Sequence, residues 1–132
     1  MNNTKIITSE YVSYGHPDKV ADQISDALLD EYLTQDRDTR AGIETMIKDN
    51  VVVIGGEVKS KAKIDIEDIV RRTIDIINYP ESHNLRGDDI KIINLIGKQS
   101  PEISKGVDLD DSDCIGAGDQ GFVVGMASNE TN

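Results

Sequence analysis

The sequence has little cysteine, few aromatic side chains and a shortage of positive charge. Tryptophan is absent and the aromatic residues are four tyrosines and one phenylalanine, so we predict a core of aliphatic side chains. The one cysteine, Cys114, has no partner for an internal disulfide, which is typical of a reducing compartment. No apolar run approaches the roughly 20 residues of a membrane span, and the first residues lack the apolar centre of a signal peptide. We therefore expect a cytoplasmic protein that is not attached to a membrane.

The charge balance narrows the classes of partner. Fourteen basic residues against 25 acidic ones give a net charge of −11. This charge argues against nucleic acid as a partner, because a nucleic-acid groove needs a basic face, and equally against an anionic membrane surface. A phosphate ligand stays compatible with the sequence where a few local cations or a divalent ion reverse the field.

Hydrophobic periodicity predicts an α+β fold with two helices packed on a mainly antiparallel sheet. The first helix is expected from Pro17 to about Leu33 and the second over Ile64–Asn78, with Asp65 as its N-cap. Asp49-Asn50 suits a two-residue hairpin turn, and Gly55-Gly56 suits a bulge or a close approach to a ligand. The extended segments are predicted at Lys5–Ser13, Ala41–Lys48, Val51–Val58, Asp88–Ile96 and Phe122–Met126.

Two glycine-containing motifs carry possible chemistry. Gly15-His-Pro-Asp-Lys19 lies at a predicted helix start, where main-chain N–H groups favour anions and Asp18 could ligate Mg²⁺. The alternative is that these residues only cap the helix. Gly116-Ala-Gly118-Asp-Gln-Gly121 matches the dinucleotide-binding pattern, but a polar loop precedes it and a strand-like run follows it. We reject the dinucleotide reading on that context, and a helix directly after Gly121 would revive it.

The other polar residues of interest are ordinary when taken singly. Glu44 and Glu57 lie on the two arms of the predicted hairpin, where an isolated glutamate usually faces solvent. Lys98 and Gln99 stand at the start of a long polar segment that extends to Gly121. Such segments within a compact domain are usually lids, binding loops or flexible connections.

Taken together, four segments resemble the N-terminal third of S-adenosylmethionine synthetase (methionine adenosyltransferase). They are TSEYVSYGHPDKVADQISDALLD, IETMIKDNVVVIGGEV, IGKQSPEISKGVD and GAGDQGFVVGMASNET, in this order. The resemblance covers nearly all of residues 4–132, so we expect residues 1–132 to form the N-terminal domain of a longer family chain. It implies a reaction in which the methionine sulfur attacks C5′ of ATP and the displaced triphosphate is hydrolysed to phosphate and diphosphate.

The resemblance also implies roles for particular residues. His16 and Lys19 would be catalytic, and His16 and Glu10 would contact ATP. Asp18 would bind Mg²⁺ and Glu44 would bind K⁺. Methionine would be held by three residues, Glu57, Gln99 and Asp119. Residues from about 98 to 113 resemble a loop that gates the active site, and we expect that loop to be the most mobile part of the chain.

Departures from the family pattern set limits on these expectations. Tyr11 stands where the family usually has serine, and Tyr14 where it usually has glutamate. The family chains are about three times as long, form a homodimer or tetramer, and place each active site between two subunits. We therefore expect little or no synthetase activity from residues 1–132 alone. The alternative from another class is a non-catalytic binding or regulatory module that docks on a partner chain.

Overall fold

A computed structural model describes residues 6, 8–80, 85–98 and 125 of the chain. The chain divides after Lys98 into two units, and the elements formed by the described residues belong to the first. Among the described residues, no helix has both the length and the apolar character needed to cross a membrane. The elements, in chain order, are α1 (Pro17–Gln35), β1 (Arg40–Lys48), β2 (Val51–Lys59), α2 (Ile66–Ile77), a 3-10 turn (Gly87–Asp89) and β3 (Lys91–Lys98).

The predicted hairpin is confirmed. β1 and β2 pair antiparallel from Arg40 opposite Lys59 to Lys48 opposite Val51, which leaves Asp49 and Asn50 as the connecting turn. Asp49 adopts the left-handed conformation with φ of 54°. This conformation is uncommon for residues other than glycine, but aspartate and asparagine tolerate it.

β3 pairs with β2 in the parallel direction, so the sheet of the described residues is mixed, in the order β1-β2-β3. A parallel pair needs a crossover between its strands, and α2 lies within the β2–β3 connection. The α+β class with two helices and a sheet is confirmed, and the sheet has one antiparallel and one parallel pairing.

The core lies between the two helices and one face of the sheet, which we call the inner face. Val52 and Ile54 of β2 are fully buried there. They pack with the apolar stripes of both helices and with the residue before β3: Val20, Ile24, Leu28, Ile69, Val70, Ile74 and Ile90. The opposite, outer face of the sheet carries exposed Met46 and Leu95 as well as charged side chains.

Both helix starts are fixed by side-chain caps. Asp65 accepts a hydrogen bond from the Asp68 N–H at 3.1 Å, as the sequence predicts, so α2 begins at Ile66. At the other end Asn78 is left-handed, with φ of 52°, and its N–H donates to the Asp75 carbonyl. This geometry ends α2 and redirects the chain toward Tyr79.

Of the two adjacent glycines in β2, Gly56 is constrained by a close main-chain approach. Its φ is +119°, and a β-carbon there would overlap the Gly42 carbonyl oxygen of β1. A β-carbon at Gly55 meets nothing within 4 Å. The register of the strands is continuous past both glycines. The predicted bulge is therefore wrong, and the close neighbour at Gly56 is the adjacent strand.

Two predicted strand boundaries also differ from the structure. Residues 6 and 8–13 belong to no strand, and Ile6 is 89% exposed. Tyr11 and Val12 are exposed as well, so these apolar side chains do not pack on the core. The third strand begins at Lys91 rather than at Asp88, because Gly87–Asp89 forms the 3-10 turn. That turn is pinned to α2, where Arg71 Nη1 donates to the Gly87 carbonyl at 2.6 Å and Asp75 accepts from the Gly87 N–H at 2.8 Å. The predicted strand Phe122–Met126 lies outside the described residues except for Gly125.

The Asp36 side chain links the segment between α1 and β1 to the segment that follows β2. It is the C-cap of α1, and its Oδ2 accepts hydrogen bonds from the Lys61 N–H at 2.7 Å and from Ser60 Oγ at 3.2 Å. Its Oδ1 accepts from the Asp38 N–H at 3.2 Å. The pKa of Asp36 is lowered, mainly by the hydrogen bond from the Lys61 N–H, whereas partial desolvation acts in the opposite direction. The hydrogen bonds from Asp38 and Ser60 and the charge of Lys61 lower the pKa further.

Because the pKa of Asp36 is lower in the folded chain than in the unfolded one, its ionised form contributes stability above about pH 4. That contribution is lost as the pH falls through the folded-state pKa. We expect Asp36→Asn to lower the free energy of unfolding at pH 7 and to flatten its decrease below pH 4, measured by urea unfolding at each pH. The control is Asp26→Asn, because Asp26 is exposed on α1 and has no hydrogen bond or ion pair within the described residues. Parallel pH curves for the Asp36 variant and the wild type would contradict the prediction.

Candidate functional site

The Gly15–Lys19 motif forms the start of α1. His16 is the N-cap, with extended main-chain angles (φ −66°, ψ 139°), and Pro17 occupies the first helical position. Proline is suited to that position because its missing N–H would have no partner within the helix. The imidazole Nδ1 of His16 accepts a hydrogen bond from the Asp18 N–H at 3.2 Å. The structure therefore shows that His16 caps α1 with its own side chain.

The cap fixes which nitrogen of His16 carries a hydrogen. Because Nδ1 is the acceptor, the neutral imidazole holds its hydrogen on Nε2. The side chain is 44% exposed, so it remains accessible to a ligand. The cap thus leaves the imidazole one remaining donor, Nε2–H.

The two charged residues of the motif are also accessible. The Asp18 side chain is 84% exposed, and its Oδ2 lies 3.9 Å from His16 Nδ1, an ion pair only when the imidazole is protonated. Lys19 Nζ lies 3.3 Å from Asp22 Oδ2, one helical turn further on. Exposed pairs of this kind contribute little to stability. A phosphate group could therefore replace Asp22 as the partner of the Lys19 ammonium at a small cost in free energy.

Four hydrogen bonds hold the main chain around the start of α1. The His16 N–H donates to the Ser13 carbonyl at 2.9 Å. Gln23 Nε2 donates to the Tyr14 carbonyl at 2.9 Å and to the Lys19 carbonyl at 3.0 Å. The Tyr79 hydroxyl donates to the Gly15 carbonyl at 2.6 Å. Burial raises the pKa of Tyr79, which keeps the phenol protonated and able to donate.

Glu44 and Glu57 share the outer face of the sheet. Glu44 lies opposite Gly55 and Glu57 lies opposite Gly42 in the antiparallel register, so both glutamates and both glycines share one face. Both glutamates are exposed.

α1 packs against the other face of the same strand. Ser25 Oγ of α1 is hydrogen-bonded to Thr45 Oγ1 of β1 at 2.8 Å, so Thr45 faces α1. Its neighbour Glu44 points to the opposite side, because successive side chains alternate along a strand. The structure therefore brings His16, Asp18 and Lys19 together at one helix start and places Glu44 and Glu57 across the sheet from that helix.

The remaining predicted site residues are Glu10, Gln99 and Asp119. Glu10 is exposed in the irregular segment before α1. Gln99 and Asp119 lie outside the described residues, as does the predicted gating loop beyond Lys98, which is the last residue of β3.

Asp18 fits a magnesium ion that is coordinated mainly by the phosphate oxygens of a bound ligand and by water. Within residues 8–80 and 85–98, no group of three or more histidine, cysteine, aspartate or glutamate side chains is arranged to hold a metal. Mg²⁺ in phosphate sites commonly uses one or two carboxylates and completes its shell with phosphate oxygens and water. The exposed carboxylate of Asp18 matches that requirement, and Glu44 could give K⁺ one carboxylate ligand.

An open cleft elsewhere in the fold contains none of the predicted site residues. It lies at the start of α2 and is lined by Ile64–Asp68, Arg71 and Asn94. Its one cationic side chain, Arg71, already donates to the Gly87 and Ile90 carbonyls. The remaining charged side chains of the cleft are acidic, which is unfavourable for an anion.

Comparison with known proteins decides the family. The profile of the S-adenosylmethionine synthetase N-terminal domain matches residues 4–101. The chain belongs to the S-adenosylmethionine synthetase family. A solved structure of an unusual S-adenosylmethionine synthetase from Campylobacter jejuni is similar, with 34% sequence identity and a TM-score of 0.61. That match covers 68% of this chain and 26% of the Campylobacter chain.

The two departures of this synthetase-family chain from the usual motif fall on exposed side chains. Tyr11 is 88% exposed and Tyr14 is 53% exposed. Gln23 binds the main-chain carbonyl of Tyr14 rather than its side chain, so replacement of the usual glutamate leaves that contact in place. The position of Gly15–Lys19 therefore does not depend on a carboxylate at residue 14.

The sequence alone does not indicate that Gln23 and Tyr79 contact the main chain of the candidate site. Gln23 follows Lys19 by one helical turn, so helical spacing alone could have placed the two together. Tyr79 is 64 residues from Gly15. No local pattern in the sequence indicates that contact.

Proposed function

We propose that the chain supplies the triphosphate-binding part of a methionine adenosyltransferase active site. The observation that supports this most directly is the start of α1, where an accessible imidazole donor, a lysine and a carboxylate surround the helix N-terminus. A helix N-terminus favours anions. Substrate identity rests on membership of the family, which is a transferase family.

In the proposed reaction, the methionine sulfur forms a bond to C5′ of ATP with its own lone pair. The C5′–O bond breaks, and its electrons leave on the triphosphate, which water then hydrolyses to phosphate and diphosphate. The sulfur needs no general base, so the protein contributes by orienting the reactants and by stabilising charge on the leaving group. In this proposal His16 donates Nε2–H to the oxygen next to C5′, and Lys19 neutralises a phosphate oxygen.

The metal ions would bind to carboxylates of this chain. Asp18 would hold Mg²⁺ at the phosphates, and Glu44 would be a ligand for K⁺. When bound, these cations supply electrostatic stabilisation of the triphosphate. His16 and Lys19 act on the same negative charge from the protein side.

The placement of Glu44 and Glu57 supports a site that is completed by a second subunit. Glu57, proposed to hold methionine, lies on the outer face of the sheet, whereas α1 packs on the inner face. Within the described residues, Glu57 and the helix that His16 caps therefore lie on opposite faces of the sheet. A homodimer or tetramer would allow the outer face of one subunit to meet the helix start of another.

We expect the 132-residue chain to bind Mg²⁺-tripolyphosphate but to make little or no S-adenosylmethionine. Binding needs only the start of α1, whereas turnover also needs the methionine site and the remainder of the family fold. Calorimetry with Mg²⁺-tripolyphosphate measures the first expectation. Chromatography of S-adenosylmethionine formed from ATP, methionine, Mg²⁺ and K⁺ measures the second.

The matched control for binding is Lys63→Gln, which removes one positive charge from the connection between β2 and α2. Lys19→Gln should weaken tripolyphosphate binding about tenfold, and Lys63→Gln by much less, because charge-assisted contacts act at short range. Equal losses of affinity in the two variants would show that tripolyphosphate is attracted by the overall charge and not bound at Lys19. Turnover by the chain alone at the rate of a full-length synthetase would overturn the expectation of inactivity.

A further inference from the structure

We infer that Tyr79 is a positioning residue for His16, acting through the peptide group that joins Gly15 to His16. This inference rests on the proposed function only for its consequence, the orientation of the Nε2–H donor. The contact itself is a feature of the fold. It links the end of α2 to the start of α1, two elements that are adjacent only in the folded chain.

The hydrogen bond acts directly on the unit that carries His16. Tyr79 donates to the Gly15 carbonyl oxygen at 2.6 Å, and that carbonyl shares a planar peptide group with the His16 N–H. The same N–H donates to the Ser13 carbonyl at 2.9 Å. The peptide group is therefore held from both sides, and it can rotate only by losing one of these bonds. Its orientation sets the direction in which the His16 side chain leaves the main chain.

Close packing of the tyrosine ring reinforces the hydrogen bond. A β-carbon at Gly15 would lie 3.0 Å from Cε1 and 3.5 Å from Cζ of Tyr79. Only a residue without a side chain lets the main chain approach the ring this closely without displacement. The ring also packs against the hydrophobic core. The loop before α1 therefore packs against a tyrosine ring that is itself held by the core.

The end of α2 places Tyr79 in this position. Asn78 is left-handed and its N–H donates to the Asp75 carbonyl, which turns the chain out of the helix one residue before the tyrosine. Gln23 of α1 holds the other side of the same loop through the Tyr14 carbonyl, and its amide also binds the Lys19 carbonyl of its own helix. Two side chains from different elements thus fix the main chain on either side of Gly15.

The test uses the 132-residue chain with Tyr79→Phe, which removes the hydroxyl and keeps the ring. Amide hydrogen exchange and the amide ¹H and ¹⁵N shifts of His16 and Asp18 are measured by NMR. These two amides report the bond to Ser13 and the bond to the imidazole Nδ1. We expect both amides to exchange about fivefold faster in the variant, the effect of one ordinary hydrogen bond, and the His16 amide resonance to shift.

The matched control is Tyr32→Phe, which removes the hydroxyl of another tyrosine, near the far end of α1. Tyr32 lies 16 residues from His16 along α1, about 24 Å at the rise of an α-helix. Gln23→Glu is the second test variant, because it replaces the amide donor at nearly constant size. Global stability is measured for each variant by urea unfolding, so that exchange is compared at matched stability.

Faster exchange at His16 and Asp18 in Tyr79→Phe and Gln23→Glu, but not in Tyr32→Phe, would support the inference. Unchanged exchange and shifts in Tyr79→Phe, or equal changes in Tyr32→Phe, would overturn it. Mg²⁺-tripolyphosphate binding is measured separately, and about fivefold weaker binding by Tyr79→Phe is expected. Failure of the wild-type chain to bind tripolyphosphate would count against the proposed function and leave the NMR result to decide the role of Tyr79.

Discussion

Replacing Gly56 by alanine should destabilise the chain by about 4 kcal/mol. Two independent costs contribute. The φ of +119° lies where side chains other than hydrogen are strained, which costs roughly 1–3 kcal/mol. The new β-carbon would also overlap the Gly42 carbonyl oxygen and approach Ile43 Cα at 3.2 Å. Separation of the strands to relieve that overlap adds roughly 1–3 kcal/mol.

The neighbouring glycine provides a matched control for this substitution. Gly55→Ala adds the same methyl group to the same strand, but its β-carbon meets nothing within 4 Å. We expect its free energy of unfolding to stay within about 0.5 kcal/mol of the wild type. Urea unfolding followed by circular dichroism measures both variants. A difference between them of less than 1 kcal/mol would contradict the structural explanation of Gly56.

The features that the sequence predicted correctly depend on residues that are close together in the chain. Asp65 caps α2 because a short acidic side chain can reach an N–H three residues ahead. The hairpin follows from a two-residue turn between two apolar runs, and its register is fixed by that turn. Pro17 marks the start of α1 for an equally local reason.

The features that sequence did not predict depend on contacts between distant segments. Nothing in the composition of β3 determines whether it pairs parallel or antiparallel with β2. Its direction follows from the crossover through α2. Gly55 and Gly56 look equivalent in the sequence, and only the approach of Gly42 distinguishes them. The contact between Tyr79 and Gly15 is of the same kind.

The candidate site shows the same division between local and distant information. The motif at Gly15–Lys19 is contiguous, so its sequence already indicates a helix start with donors and a carboxylate. The sequence also indicates that Glu44 and Glu57 lie on strands. It does not show that their face of the sheet is turned away from α1, because this depends on which face the helices cover. The proposal of a site shared between two subunits rests on that arrangement.

Substitutions at His16 should separate its observed capping role from its proposed anion-binding role. The two roles favour different side chains at this position. Aspartate and asparagine are both good N-caps, whereas alanine offers no acceptor and costs about 1 kcal/mol. We therefore expect His16→Asp and His16→Asn to unfold at similar urea concentrations, and His16→Ala at a lower one. On capping alone, aspartate and asparagine would be equivalent.

Affinity for Mg²⁺-tripolyphosphate should follow a different order in the same three variants. Asparagine keeps a neutral donor group, alanine has none, and aspartate places a negative charge beside the anion. We expect losses of about fivefold for His16→Asn and about tenfold for His16→Ala, and about 100-fold for His16→Asp, measured by calorimetry at low ionic strength. The aspartate variant would then be among the most stable of the three and the weakest binder, which would place the anion beside residue 16. Weaker binding by the alanine variant than by the asparagine variant would support a donor role for the side chain. Equal affinities for the aspartate and asparagine variants would place the anion away from His16 and remove the main support for the proposed triphosphate site.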